Sequence, residues 1–297
     1  MATQALAVNG AKVYITDRTK EKLDRVAELY SKDIPGQIIP ISADVTSKQF
    51  IQKLVDKIST EESKLHILIN NAGISSPTQN TDPAGPKTLQ EELFNNQSTA
   101  QEREECMRTN ATQLFFTTTA FLPLLNNGTE DEHAWSSTVV NIPSISGLVK
   151  SAQHHFAYNA NKAAAVHLTK MLAMRLLPCK SKFVSTILRP GSSCPKMTAE
   201  GSDEKQKSKL PKERFEGKVP AERPGKDEGM GNAVLFTVSN QYLNGQTILV
   251  DGGYFWQRAH SKLLASKPSF HVQPEKVTLA YLHRHRPKFL PDGLRIC

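Results

Sequence analysis

The chain has 297 residues, of which 38% are hydrophobic and 22% are charged, values that are ordinary for a globular protein with a substantial core. No apolar run approaches the roughly 20 residues that span a bilayer, and the N-terminus lacks the basic and apolar regions of a secretory signal, so we expect a cytoplasmic protein with no membrane partner. The net charge of +8 is concentrated in residues 255–297, which hold eight Lys or Arg against two Asp or Glu; this argues against nucleic-acid binding by the rest of the chain.

Short apolar runs alternate with amphipathic stretches along the first part of the chain. The β-branched and aromatic residues of 11–17, 36–45 and 65–73 predict three strands. Apolar residues at helical spacing predict a helix after each of the first two strands, the second one over 48–58. This alternation indicates βαβ units and a parallel sheet.

The second part of the chain continues the pattern after an interruption. Residues 75–104 are polar and contain several prolines, which predicts a surface loop with a short helix near 88–94. A long helix is predicted next, over 101–125, ended by Pro123 and a turn at 126–128. The remaining predicted elements are strands at 137–142, 182–188 and 245–250, helices at 156–177 and 231–239, and a mobile surface segment at 199–222.

Composition divides the chain into two regions. Residues 1–254 carry all the predicted strands and helices and form one α/β domain. Residues 255–297 are basic, contain scattered prolines and are expected to be loosely ordered. The four cysteines form no CxxC pair and have no zinc-ligand spacing with histidines, so we expect reduced thiols and no metal site.

Tyr158 and Lys162 lie four positions apart in a predicted helix and therefore on one face of it. An ammonium close to a phenol favours the phenolate, so the pair fits proton transfer; it also fits an exposed tyrosine beside a long lysine. Ser144 follows a strand fourteen residues earlier, where its hydroxyl can bond a substrate oxygen, although Ser146 is an equally ordinary turn residue. Because ligands bind at the carboxyl ends of parallel strands, these residues predict a site at that edge.

The ordered set of short motifs resembles the short-chain dehydrogenase/reductase family over residues 3–254. The matching residues are Asp17, "DVT" at 44–46, "NNAG" at 70–73, Asn110, Ser144, "YNANK" at 158–162, "PG" at 190–191, "MT" at 197–198 and "LNGQTILVDGG" at 243–253. The residues of several stretches are most similar to those of fungal members of the family, which are related to 3-oxoacyl-[acyl-carrier-protein] reductases and secondary-metabolite reductases. The resemblance implies a Rossmann-like doubly wound parallel sheet in three αβα layers.

The resemblance also implies a function and a set of site residues. It implies an oxidoreductase that interconverts a ketone and a secondary alcohol with NAD or NADP, in secondary-metabolite or fatty-acyl metabolism. In that role Tyr158 is the general acid and base, Lys162 lowers its pKa and binds the nicotinamide ribose, Ser144 orients the substrate and Asn110 holds a water. The cofactor-binding residues that it implies are Asp17, Asp44, Asn71, Tyr158, Lys162, Ser193 and Thr198. Family members are often tetramers through the helices at 101–125 and 156–177, so a homo-oligomer is expected.

The choice between the two cofactors depends on one strand end. A carboxylate at Asp17 can bond both ribose hydroxyls and repels a 2′-phosphate, which favours NAD. The neighbouring Arg18 can instead pair with a phosphate, so NADP stays open.

One family element has no counterpart in the sequence. The family opens with a strand and a glycine-rich TGxxxGIG loop that holds the pyrophosphate, whereas this chain begins within the helix that follows the loop. In the family that strand lies between the strands of 11–17 and 65–73, so we expect a sheet that lacks its first strand, with two unpaired central edges. The absence of the loop supports an alternative to an active oxidoreductase: a non-catalytic truncated paralogue or mispredicted gene product that cannot bind dinucleotide. The basic tail supports a third hypothesis, a basic binding module built on residues 255–297.

Overall fold

The computed structural model describes residues 1–80, 85–95, 99–131, 133–152, 154–176, 182–188, 211–217, 219–256 and 295–296; at 182–188, 214 and 295–296 only the backbone is described. Within these residues the strands are β1 (Lys12–Asp17), β2 (Gln37–Ser42), β3 (Ile67–Asn70), β4 (Thr138–Asn141), β5 (Lys182–Leu188), β6 (Thr247–Val250) and β7 (Arg295–Ile296). The α-helices of the same part are α1 (Ala2–Ala7), α2 (Lys20–Tyr30), α3 (Lys48–Glu61), α4 (Pro86–Leu93), α5 (Ala100–Met107), α6 (Gln113–Ala120), α7 (Leu122–Asp131), α8 (Phe156–Arg175) and α9 (Asp227–Ser239).

The described strands form one parallel sheet with the order β2-β1-β7-β3-β4-β5-β6. Neighbouring side chains on a strand point to opposite faces, and each face of this sheet carries its own core. On one face Val13, Ile67 and Val140 pack with Leu6 of α1 and Val234 of α9. The other face packs against α3, α6, α7 and α8 through a larger apolar cluster: Tyr14, Ile41, Leu54, Ile58, Leu65, Leu68, Leu114, Phe121, Leu125, Val139, Ala165 and Leu172. The predicted three-layer α/β fold is confirmed.

The centre of the sheet differs from the sequence-based expectation. The C-terminal residues Arg295 and Ile296 form β7, which lies between β1 and β3 and pairs with both. We expected the edges of β1 and β3 to stay unpaired and residues 255–297 to be loosely ordered. Two residues of that tail instead belong to the sheet; of the rest, only 255 and 256 are among the described residues.

The predicted long helix at 101–125 is interrupted. A π-helical turn at Arg108–Thr112 separates α5 from α6, and Phe121 separates α6 from α7. The predicted stop at Pro123 and 126–128 is wrong, because α7 contains these residues. Pro123 lies in the first turn of α7, where the backbone N–H has no partner within the helix, so proline is tolerated. Gly128 lies in the helix because the position has no room for a side chain: a methyl group there would lie 2.3 Å from the backbone oxygen of Leu65.

Part of the predicted mobile segment at 199–222 is packed. A 3₁₀ turn at Lys212–Arg214 leads into Phe215 and Val219, which are both buried. They pack with Ile145 and Tyr254 in a small apolar cluster. The segment 199–210 and Lys218 lie outside the described residues.

Candidate active site

A cavity of about 540 Å³ opens between β1 and β3 at the carboxyl edge of the sheet. Ser144, Tyr158 and Lys162 line one part of it, and Asp17 and Asp44 line another. Its wall also includes Asn71–Ile74, and apolar side chains of both sheet faces reach it, among them Val13, Tyr14, Leu54, Leu68, Phe121 and Val234. The structure therefore brings six of the residues selected from the sequence to one space: Asp17, Asp44, Asn71, Ser144, Tyr158 and Lys162.

Helix α8 places Tyr158 and Lys162 on its cavity-facing side. They are one helical turn apart, and Lys162 Nζ lies 5.6 Å from the centroid of the Tyr158 ring. Lys162 is only 4% exposed, so its ammonium is held within the protein and does not lie along the helix surface. The His155 ring packs edge-on against Tyr158, with the centroids 6.3 Å apart. This burial removes the interpretation of an exposed tyrosine beside a surface lysine.

Ser144 follows β4 and precedes a 3₁₀ turn at Ile145–Gly147. It is 6% exposed, and its Oγ accepts a hydrogen bond from the backbone N–H of Ser146 at 3.2 Å. This leaves the hydroxyl proton of Ser144 available for a second partner in the cavity. Ser146 contributes only its backbone N–H to this hydrogen bond, and its side chain does not line the cavity.

Gly147 was not selected from the sequence, yet it fixes the turn against α8. A methyl group at this position would lie 2.5 Å from the carbonyl carbon of Lys162 and 2.6 Å from the backbone nitrogen of Ala163. Backbone atoms cannot give way at that distance, so the close approach of the Ser144 turn to α8 requires glycine. The sequence signal for this contact was the glycine three residues after Ser144.

Asn110 lies in the π-helical turn, behind the cavity wall. Its Oδ1 accepts a hydrogen bond from the backbone N–H of Ile74 at 3.0 Å, and its Nδ2 donates to the Ile74 oxygen at 2.9 Å and to Sγ of Cys106 at 3.0 Å. Cys106 is a buried free thiol and was not singled out from the sequence for this contact. Asn110 is thus the one described catalytic candidate that does not itself line the cavity.

Gly73 separates Asn110 from Lys162. A methyl group on Gly73 would lie 2.8 Å from Asn110 Oδ1 and 3.1 Å from Lys162 Nζ. The absence of a side chain therefore lets both polar groups approach the backbone of the loop after β3.

At the far part of the cavity, Asp17 ends β1 and Asp44 follows β2. Asp17 Oδ1 accepts a hydrogen bond from the backbone N–H of Thr19 at 2.8 Å. Asp44 Oδ1 accepts from the backbone N–H and the hydroxyl of Thr46, at 3.0 and 2.7 Å. Burial acts to raise the pKa of Asp44, but these two hydrogen bonds, with Arg18 and Arg108 nearby, outweigh it and lower that pKa below its usual range. Asp44 is therefore an ionised acceptor at neutral pH.

A buried polar network beneath the site was also missed by sequence analysis. Asn70 Nδ2 donates to Oδ1 of Asn141 at 2.8 Å and to Oγ1 of Thr118 at 3.1 Å. Asn141 Nδ2 donates to Oγ1 of Thr169 at 2.9 Å, and Thr169 donates to the Ala165 oxygen. The network joins β3 and β4 to α6 and α8, and the only sequence signal for it was the first asparagine of "NNAG".

Two predicted cofactor contacts, Ser193 and Thr198, lie outside the described residues. Among the residues that the structure describes, no group of three or more His, Cys, Asp or Glu side chains could hold a metal ion. In the same part of the chain, no helix combines the length and apolarity needed to cross a membrane.

Comparison with known proteins identifies the family. The family model described as enoyl-(acyl carrier protein) reductase matches residues 1–255. The short-chain dehydrogenase/reductase PhomF of Diaporthe leptostromiformis is 35% identical over 260 residues, covering 85% of this chain and 86% of its own. The short-chain dehydrogenase/reductase VdtF of Byssochlamys spectabilis is 32% identical over 280 residues, covering 86% and 88%.

Solved structures agree with the fold. The RhlG/NADP active-site complex of Pseudomonas aeruginosa superposes with a TM-score of 0.69 at 24% identity, over 86% of this chain and 90% of that one. A short-chain dehydrogenase/reductase structure from Burkholderia xenovorans gives 0.69 at 23% identity, over 86% and 93%. Together with the family match, these findings confirm the resemblance seen in the sequence: the chain belongs to the short-chain dehydrogenase/reductase family of oxidoreductases, which use NAD or NADP.

Proposed function

We propose that this chain interconverts a ketone and a secondary alcohol, with Tyr158 as general acid and base. The nicotinamide cofactor supplies the hydride to the carbonyl carbon, or accepts it in the reverse direction. The Tyr158 hydroxyl gives its proton to the carbonyl oxygen in reduction and takes it back in oxidation. Ser144 donates a hydrogen bond to the same oxygen, and the Lys162 ammonium stabilises the phenolate that forms.

The observation that carries the proposal is the meeting of three groups at one cavity. Tyr158, Lys162 and Ser144 come from a helix and from the loop after a strand, and all three line the same space. Lys162 is buried, and its Nζ lies 5.6 Å from the Tyr158 ring centroid, so its positive charge is held close to the phenol. The hydroxyl of Ser144 and the phenol of Tyr158 therefore can converge on one substrate oxygen.

The residues present fit both ends of a dinucleotide. At one end, we propose that Lys162 and Asn71 hold the nicotinamide ribose, because both line the cavity next to Gly73. At the other end, Asp44 accepts hydrogen bonds as a carboxylate, which suits the adenine amino group, and Asp17 suits the adenosine ribose. Between these ends the wall includes residues 1–3. We propose Ser193 and Thr198 as further cofactor contacts on the family resemblance alone.

We propose NAD as the preferred cofactor. Asp17 is exposed and lines the cavity, so its carboxylate can bond two vicinal hydroxyls and would repel a 2′-phosphate. Arg18 lines the same part of the cavity and is the feature that favours NADP, the cofactor in the RhlG complex. The ratio of kcat/KM for NADH and NADPH decides between them. A preference for NADPH that is lost in Arg18→Ala would overturn the assignment.

The proposal is tested with NADH or NADPH and a panel of cyclic ketones and 3-oxoacyl thioesters. Tyr158→Phe removes the proton donor and Lys162→Met removes the charge, and each is expected to lower kcat by about 100-fold or more. The matched control is Tyr242→Phe, because Tyr242 is fully exposed and is not part of the cavity lining. Unchanged turnover in Tyr158→Phe rejects the assigned chemistry.

A second candidate is a chain that keeps these side chains but does not bind dinucleotide. The cavity lining favours it, because Gly73 is the only one of the described glycines that lines the cavity. Among the described residues, no glycine-rich loop therefore lines the cavity between the proposed nicotinamide and adenosine ends. Fluorescence titration with NADH separates the two candidates. Saturable binding with a micromolar midpoint rejects the second, and no binding at millimolar NADH rejects the first.

We also propose that the chain forms a cytoplasmic homo-oligomer through α6 and α8. Phe115 on α6 and Met171 and Met174 on α8 are 40%, 52% and 73% exposed, and apolar side chains of this size at a surface favour a protein partner. Met174→Glu is expected to lower the molar mass measured by light scattering after gel filtration. Phe50→Glu, on α3 and 45% exposed, is the control and should leave the mass unchanged.

A further inference from the structure

Strand β7 holds the central position of the sheet with only two residues. Arg295 is the neighbour of Lys12, and Ile296 is the neighbour of Val13 on one side and of Ile67 on the other. Every pairing is parallel, so β7 runs in the same direction as the strands beside it. Residues from the C-terminal end of the sequence thus lie between strands that belong to its first quarter.

The strands beside β7 make it the link between two groups. Among the described strands, β1 pairs with β2 and β7, while β3 pairs with β4 and β7. Val13 is 3% exposed and Ile67 is fully buried. Buried backbone N–H and C=O groups need partners, and β7 pairs with the inner edges at Lys12 and Val13 of β1 and at Ile67 of β3. Without β7, the sheet consists of the pair β2-β1 and the group β3-β4-β5-β6.

The same two groups carry opposite ends of the candidate cofactor site. Asp17 ends β1, and Asp44 follows β2, on one side of the division. Asn71 and Gly73 follow β3, and Ser144 follows β4, on the other side. The cavity lies between β1 and β3, and its wall includes Val13, one of the residues that β7 pairs. The apolar clusters on both sheet faces also hold β1 near β3, and β7 is the strand that joins the two directly.

We propose that the C-terminal residues Arg295–Ile296 act as the central strand that joins the two halves of the sheet and so sets the spacing of the dinucleotide site. The inference about the site rests on the proposed function, while the inference about the strand does not. The role assigned to β7 is that of a positioning element, because the observation behind it is its backbone pairing with β1 and β3.

The strand is tested first, without any cofactor, by amide hydrogen exchange. In the wild-type protein the Ile296 amide is expected to exchange slowly, together with the amides of Val13 and Ile67. Exchange of Ile296 at the rate of an unstructured peptide overturns the proposal, and this measurement needs no variant.

Two substitutions at one position then separate backbone pairing from side-chain effects. Ile296→Pro removes the backbone N–H and is expected to speed exchange at Val13 and Ile67. Ile296→Val keeps the N–H and the β-branched character and should retain the wild-type protection. Equal exchange in all three proteins overturns the proposal.

The effect on the site is measured by NADH titration of the same three proteins. Ile296→Pro is expected to raise the Kd for NADH by about tenfold or more, which is the change expected from the loss of roughly one well-placed polar contact. The Kd of Ile296→Val should stay within about twofold of the wild-type value. If wild-type protein binds NADH and Ile296→Pro binds it equally well, the link to the site is wrong. If the wild-type protein binds no NADH, the proposed function fails, and hydrogen exchange alone still decides whether β7 joins the sheet.

Discussion

The side-chain carboxamide of Asn110 hydrogen-bonds both the backbone N–H and the backbone C=O of Ile74. The two hydrogen bonds, at 3.0 and 2.9 Å, satisfy the peptide groups of one loop residue with a single carboxamide. Ile74 directly follows Gly73, whose backbone lies against Lys162. The π-helical turn that carries Asn110 therefore positions the loop after β3 relative to α8, the helix of Tyr158 and Lys162.

Replacing this side chain tests that link. Asn110→Ala leaves the N–H and C=O of Ile74 without their partner, so we expect the free energy of unfolding to fall by about 1–3 kcal/mol. The loop and Lys162 then lose their fixed separation, and kcat/KM should fall about tenfold to a hundredfold, as small misplacements of reacting groups do. Urea unfolding and steady-state kinetics measure the two effects.

The matched control removes an equivalent amide contact away from the site. Asn127 Nδ2 donates to the backbone oxygen of Ser63 at 2.8 Å, and Asn127 does not line the cavity. Asn127→Ala should lower stability modestly and leave kcat/KM unchanged. Equal kinetic losses in the two variants would show that Asn110 acts only through stability.

Gly147 gives a second prediction, because two backbone segments meet there. Gly147→Ala places a methyl group 2.5 Å from the carbonyl carbon of Lys162, so the Ser144 turn and α8 must move apart. We expect a loss of about 1–3 kcal/mol, in the range of overpacked sites, together with a lower kcat. Differential scanning calorimetry and turnover measurements check both.

A helical glycine with free space around it provides the comparison. Gly229 lies in α9, and a methyl group on it would meet nothing within 4 Å. Gly229→Ala should therefore stabilise the protein by about 0.5–1 kcal/mol through helix propensity and leave kcat unchanged. A stabilised Gly147→Ala protein with full activity would contradict the close contact seen at the turn.

The sequence predicted those parts of the fold that depend on local periodicity. Alternating apolar runs located β1 to β6 within a few residues, and the helical spacing of apolar residues located α2, α3 and α8. The order of Asn71, Ser144, Tyr158 and Lys162 predicted a shared site, because side chains after parallel strands meet at one edge. Their assignment to individual steps of catalysis stays a prediction.

The features that sequence analysis missed depend on contacts between distant parts of the chain. β7 has two residues in a basic tail, too few for any period, and its position follows only from the slot between β1 and β3. The π-helical turn leaves the apolar pattern of 101–125 intact while it changes the hydrogen bonding. The need for glycine at Gly147 appears only when α8 packs against the turn.

The buried network beneath the site gives a third prediction. Asn141 is fully buried and bonds Asn70 through Oδ1 and Thr169 through Nδ2. Asn141→Ala removes both bonds and leaves a cavity, so the free energy of unfolding should fall by about 2–4 kcal/mol. A double-mutant cycle with Thr169→Val measures the share that passes through Thr169, and additive losses would mean that the two side chains are not coupled.

The last prediction concerns alkaline pH and Tyr14, which is outside the proposed proton-transfer pair. The Tyr14 hydroxyl lies 2.9 Å from Oε1 of Glu62 and 2.9 Å from Oε2 of Glu61, and Lys12 pairs with Glu62 at 2.6 Å. Burial, followed by the hydrogen bonds to Glu62 and Glu61 and their negative charges, raises the pKa of Tyr14 well above its ordinary value. The folded protein therefore keeps the Tyr14 proton at a pH where the unfolded chain releases it.

The sign of the pH dependence follows from this difference. Above about pH 10, the ordinary pKa of tyrosine, the unfolded state binds fewer protons than the folded state, so the free energy of unfolding falls by up to about 1.4 kcal/mol per pH unit from this group. Tyr14→Phe removes the titrating group, and urea unfolding between pH 8 and 11 should give a shallower decline than in the wild-type protein. Tyr242→Phe, at a fully exposed tyrosine, should keep the wild-type slope. Identical slopes in the wild-type and Tyr14→Phe proteins would mean that Tyr14 does not retain its proton in the folded state, because only a difference in proton binding between the two states produces the slope.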